Sequence, residues 1–299
     1  MELGFLVICS VLLLALFFDL KFLPNISKLT RPKVDFASVI LSIFGFGLLV
    51  MGFSFAARLG WTSPVVLGCL VGGILIVAIY AYRQLHHENP ILNLKVFKHV
   101  AFTKGTLLVM IDFGIILSAM YLLPQYIQRG MLIPVALTGI IMLSGGIVNA
   151  AISGLAGRMF DKYGAKILAT IGFIIAIIGA IMLLNVSTHT TVAYIIAAHV
   201  ILMIGCPLAM SPSQTHALNS LEIYESADGS TIINTLQQVV GAIATATSLL
   251  QIGISASHGA SSAVAFTHGV HNRIIFTVVL AVIGLLIALS INNKNELRH

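Results

Sequence analysis

The chain has 299 residues, of which 9% are charged and 58% hydrophobic, and its mean hydropathy is +1.03. A soluble chain carries roughly a quarter charged residues, so this composition excludes a water-soluble globular domain. The formal charge of +6 requires no nucleic-acid partner, because Lys and Arg collect in the cytoplasmic loops of membrane proteins.

Taken in order, windows of membrane-spanning length give nine candidate spans: 3–18, 36–55, 65–81, 105–123, 133–155, 167–184, 191–210, 232–254 and 274–291. The cations set their orientation. With Met1 outside, the inner segments hold Lys21, Lys28, Arg31, Lys33, Arg83, Lys95, Lys98, Lys104, Arg158, Lys162, Lys166, Lys294 and Arg298. Arg58, Arg129 and Arg273 remain outside, a positive-inside bias of thirteen to three. The expected product is a multi-pass protein of the cell membrane, with its N-terminus outside and its C-terminus cytoplasmic. One inner segment, 211–230, carries Glu222, Glu225 and Asp228 and no cation.

Two inner connectors are long. The first covers 19–35. The second, 82–103, mixes His86, His87, Glu88, Lys95, Lys98 and His99 with Ile91, Leu92, Leu94 and Phe97, which suggests a helix lying on the inner leaflet. Its histidines have one Glu beside them, too few carboxylates for a metal centre. Cys9, Cys69 and Cys206 all fall in apolar runs with no paired spacing, so neither metal nor disulfide chemistry is expected. No phosphate-binding loop, dinucleotide fingerprint or nucleophile elbow is present. The reading is of a protein that is not an enzyme and needs no cofactor.

Ionisable groups inside spans carry the most information, since each costs roughly 2.5–3.5 kcal/mol to insert. Asp112 stands mid-way along the fourth span. It is a candidate proton carrier or cation counter-charge, or else a protonated Asp bonded to a neighbouring helix. His199, in the seventh span, is either a neutral hydrogen-bonding His or a proton relay. In the eighth span Asn234, Gln238, Gly241, Thr245 and Ser248 recur at helical spacing, as a packing seam or a pore lining. Gly114, Ser118, Tyr121 and Gln125 form a shorter stripe in the fourth span, where Tyr121 and Gln125 are further substrate candidates. Gly145-Gly146 and Gly205-Cys206-Pro207 mark points where helices can bend.

Between the fifth and sixth spans lies Gly157-Arg158-Met159-Phe160-Asp161-Lys162-Tyr163-Gly164-Ala165-Lys166. Two glycines, one acid and three cations in ten residues suggest a tight charged hairpin, its Asp pairing with a neighbouring cation or capping a helix. The stretch resembles the G-x-L-a-D-r-x-G-r-k loop of the major facilitator superfamily through Gly157, Met159, Asp161, Lys162, Gly164 and Lys166, with Ala165 replacing one cation. Three further runs are similar to the fourteen-helix drug:proton antiporters of the EmrB/QacA type, most of all their lincomycin-resistance-like members. They are Pro90–Phe97 leading to Ala101-Phe102-Thr103, Tyr121–Gln128 and Asn234–Ala242.

The resemblance implies an all-α fold built of two six-helix halves with two extra helices between them. Residues 1–18 would be the last helix of the first half, 19–82 the extra pair with its connector, 83–104 a cytoplasmic linker, and 105–299 a complete second half. Five helices would then be missing before Met1. The implied activity is proton-driven export of hydrophobic or cationic small molecules, with Gly157, Arg158, Asp161, Lys162, Gly164 and Lys166 as a conformational switch. The implied partners are the substrate, protons, the bilayer, and either a missing N-terminal half or a second copy. Two rival readings are a fragment that inserts without transporting and an accessory subunit embedded in the membrane.

Overall fold

The computed structural model describes Ser10, Phe18 and residues 35–87, 90–256 and 262–291, and its helices form the unit that begins at Asp35. They are α1 (Phe36–Leu59), α2 (Pro64–His86), α3 (Val100–Gln125), α4 (Val135–Leu184), α5 (Val192–Asn219), α6 (Ser226–Ala256) and α7 (Ser262–Leu289). Among the described residues six segments are long and apolar enough to cross a membrane: Phe36–Ala56, Pro64–His86, Val100–Gly130, Val135–Leu184, Val192–Asn219 and Gly269–Leu289. The expected span 232–254 is helical within α6, whose polar residues leave it less apolar. Span 3–18 and connector 19–34 lie outside the described residues, save Ser10 and Phe18.

α1 and α2 form a hairpin. Asp35 caps α1 by accepting from the Ala37 amide at 3.2 Å, and it takes further hydrogen bonds from Ser38 Oγ at 2.6 Å and Arg83 Nε at 2.8 Å. Gly60, at φ +83°, ends α1 in a conformation that L residues rarely adopt, and Pro64 opens α2 where its missing N–H costs nothing. The outward faces carry Ile40, Ile43, Phe44, Val71 and Ile74, all exposed, as expected of a surface solvated by lipid tails.

The connector into α3 is not the surface helix expected from its composition. Its regular part is one short 3-10 helix, Leu94–Lys98, capped by the Asn93 side chain on the Lys95 amide at 3.1 Å. Val96 turns inward, fully buried against Phe102, Val109, Ala217, Leu221 and Ile233. α3 then runs to Gln125, with Pro124 inside its last turn. The proline removes an N–H from the ladder, and the chain continues as one π turn, Tyr126–Gly130.

α4 has 50 residues, about 75 Å at 1.5 Å per residue, against a hydrocarbon layer of about 30 Å. Its length is enough for two crossings, matching the expected fifth and sixth spans. The break is Gly164, with φ 72° and ψ 169°. Between lipid-soluble helices the attraction comes from close packing of small residues rather than from water exclusion. The second arm of α4 meets α5 in this way, with Gly172, Ala176 and Gly179 against Leu202, Gly205 and Ala209. The main core lies among α3, this second arm, α5 and α7, while α6 packs on α3, α7 and α1.

Candidate functional site

The site is built on the contact of α3 with α5. A methyl at Gly105 would stand 2.7 Å from the Ser213 carbonyl oxygen and 2.8 Å from Ala217 Cβ, so the two backbones touch there. Two turns further along α3, Asp112 is fully buried and neither carboxyl oxygen has a hydrogen-bond partner. The Cys206 thiol of α5 lies beside it. A carboxyl enclosed at membrane depth without a donor is stable only as the neutral acid, or with a counter-charge brought to it.

His199, seven residues before Cys206 on α5, is buried with Nδ1 unpartnered, and its ring is wedged against Gly145 of the first arm of α4. Only a glycine leaves room for that ring. Below it Asn149 Nδ2 approaches Met203 Sδ at 3.7 Å. Gly145 alone thus seats an imidazole, and helical backbone continues through Gly145-Gly146.

Arg273 requires a correction. Counted as an outer cation, it is instead buried within α7 at 3% exposure. A guanidinium nitrogen donates to Ser118 Oγ at 2.7 Å and the group lies 4.7 Å from the Phe276 ring centre, while Nε has no partner. Ser118 passes the link on by donating to the Gly114 carbonyl at 2.7 Å. Its place at the edge of an apolar run made Arg273 look like a loop residue; the flanking His271 and Asn272 gave no signal of burial.

The α6 stripe is divided between an exposed and a buried part. Asn234 and Gln238 are exposed, whereas Ile233, Gln237, Ala244 and Ser248 are buried. Gly241 faces Leu117 and Phe113 of α3, which fixes the buried face. Tyr121 and Gln125 are half-buried on α3 and meet none of the other candidates in a hydrogen bond.

The charged stretch also differs from a hairpin loop. Helix continues through Gly157 to Tyr163, and the turn is reduced to Gly164 alone. Arg158, Asp161 and Lys162 are exposed; Lys162 lies 5.1 Å from the Tyr163 ring centre, Lys166 is half-buried, and Asp161 forms no ion pair with any described residue. At helical spacing Asp161 and Lys162 point apart, so neighbours in sequence do not pair.

A polar strap was not anticipated. Gln84 donates to Ser38 Oγ at 2.7 Å and accepts from the Leu92 amide at 3.1 Å. Asn93 Nδ2 and His99 Nε2 both reach Glu225 at 3.3 Å, tying the connector to the start of α6. The acid-only segment 211–230 was the signal for it. Among the described residues no three His, Cys, Asp or Glu gather as metal ligands.

A family model described as Major Facilitator Superfamily matches residues 26–245. The chain belongs to the major facilitator superfamily. Among its relatives, Lincomycin resistance protein LmrB of Listeria monocytogenes is 40% identical over 289 residues, 94% of this chain and 61% of that protein. Its namesake in Bacillus subtilis is 39% identical over 92% of this chain and 60% of its own length. The Multidrug efflux pump LfrA of Mycolicibacterium smegmatis is 25% identical over 81% and 48%. This major facilitator chain therefore spans about three fifths of the length of these two lincomycin-resistance relatives. Its described helices fit a family whose relatives are named as membrane transporters.

Proposed function

We propose that the chain acts in proton-driven export of hydrophobic or cationic drugs, within the fourteen-helix branch of its superfamily. The relatives named for lincomycin resistance and multidrug efflux support the substrate class. The observation that carries the proton is Asp112, a buried carboxyl with two unpartnered oxygens on a helix that borders the α5 seam. Asp112 takes a proton from the outer side, becomes neutral and compatible with its apolar seat, and releases it inward when the helices rearrange. His199 assists on the same helix face as Cys206. Asn234 and Gln238, with Tyr121 and Gln125, present polar groups to substrate. Gly164 is the pivot of the charged stretch, and Asp161 awaits a partner in the alternate state. The inner segments face the cytoplasm, as the cation bias requires.

Asn234 and Gln238 stand exposed on α6, and this supports a second reading. In it the chain inserts alone but transports only against a complementary surface, supplied by a polypeptide corresponding to the other half or by a second copy. The test is export of a cationic dye from cells carrying the chain, with and without the leading segment of a relative. Asp112→Asn abolishes uncoupler-sensitive export without lowering membrane abundance. Wild-type export by that variant refutes the proton assignment.

A further inference from the structure

The register of α3 on α5 shows what faces Asp112. The helices run antiparallel, since Phe102 clusters with Ala217 and Leu221 while Leu122 and Leu123 share a cavity with Leu202, and Gly105 touches Ser213. Seven residues on from Gly105 is Asp112, and seven back from Ser213 is Cys206, each two turns away on the same face. Both are fully buried, and the thiol lies against the carboxyl although neither carboxyl oxygen has a formed hydrogen bond.

The neighbouring hydroxyls show why a thiol matters there. Ser118 donates to Gly114 O, Ser213 to Ala209 O, Thr245 to Gly241 O and Ser248 to Ala244 O, all at 2.6–2.9 Å. Each hydroxyl is spent on the carbonyl one turn back. A thiol is a weak donor, is held less firmly by that carbonyl, and stays free to rotate.

We infer that Cys206 is a positioning residue for the proton on Asp112, its S–H turning to the carboxylate when the proton leaves and away when it returns. The inference rests on the reading of Asp112 as the proton-carrying group. In the step the Asp112 O–H bond breaks, the proton passes to water on the inner side, and Cys206 keeps its own hydrogen. On return a proton from outer-side water re-forms the O–H bond.

The other ionisable groups around α3 are elsewhere engaged or distant. On α5, His199 is wedged on Gly145 seven residues before Cys206, and His216 lies beyond Ser213. α7 offers Arg273, bonded to Ser118 six residues beyond Asp112. The charges of α4 and α6 within reach of the membrane are Arg158, Asp161, Lys162, Lys166 and Asp228, all toward the ends of helices or arms. The 3-10 helix contributes Lys95 and Lys98 at the start of α3.

The test is infrared titration of the full chain in lipid, with Cys9 and Cys69 replaced by Ala so that one thiol remains. Asp112→Asn assigns the protonated-carboxyl band; a band that survives this change defeats the reading of Asp112 and the role of Cys206 with it, whereas the Cys206 readouts below can fail with the Asp112 assignment intact. With Asp112 present, the S–H stretch of Cys206 is expected to move to lower frequency as the carboxyl band disappears. Cys206→Ala is expected to preserve that band to higher pH, by about one pH unit, since the carboxylate loses a donor. An S–H stretch unchanged through the titration overturns the inference, as does an unmoved midpoint in Cys206→Ala.

Discussion

Gly179→Ala tests the seam that holds the two-armed α4 to α5. The added methyl would stand 2.6 Å from Leu202 N and 2.8 Å from Leu202 Cα. Both are backbone atoms, so no rotamer change relieves the contact. Reaching an ordinary separation of 3.4 Å means parting the helices by about 0.8 Å, and a gap of that size forfeits roughly a quarter to a half of each neighbouring van der Waals contact. Ala176, Ala180 and Gly205 share the seam, so the cost falls in the overpacking range of about 1–3 kcal/mol. Thermal unfolding in detergent reads this as a loss of several degrees. Gly146→Ala is the control, since no atom lies within 4 Å of the position its methyl would take. Equal melting of the two variants would refute the claim that backbone contact at Gly179 holds α4 to α5.

Three further outcomes are expected. Ser118→Ala, which strips the buried Arg273 of its hydrogen-bonded partner, destabilises more than Arg273→Met, which removes the charge as well; unfolding in detergent ranks the two. The hydrogen bond from Arg83, then that from Ser38, holds the Asp35 carboxyl well below the usual carboxylate range. A lowered folded value means that this stabilisation of the α1–α2 hairpin is complete above about pH 4 and is lost as pH falls below it. Melting curves between neutral and acid pH, compared with Asp35→Asn, check the sign. Asp161→Asn lowers drug export per molecule far more than it lowers abundance; unchanged export per molecule would reduce the charged stretch to a topology signal.

The membrane character and most helix positions were legible because apolar run length is the dominant physical constraint on a lipid-soluble chain. The turn at 157–166 was misread because its glycines and charges describe a loop as well as a helix end. Only backbone geometry singles out Gly164, at φ 72°, while Gly157 stays helical. The α6 stripe was found, but which of Gln237 and Gln238 is buried depends on where Gly241 meets Leu117 and Phe113, a tertiary contact. Asp112 and His199 were legible as isolated polar groups in apolar runs. Their companions were not, because Cys206 is recognised only through the antiparallel register set by Gly105, and Gly145 only by the ring it accommodates.

The central claim is that drug and proton move through this chain in opposite directions with Asp112 carrying the proton. The direct measurement uses inverted membrane vesicles holding the chain with the leading segment of a relative, and follows an imposed pH gradient with a fluorescent dye. Adding a cationic drug should collapse the gradient with the wild-type chain and leave it intact with Asp112→Asn. Drug accumulation that proceeds without any change in the gradient, or an equal collapse with Asp112→Asn, would contradict the account.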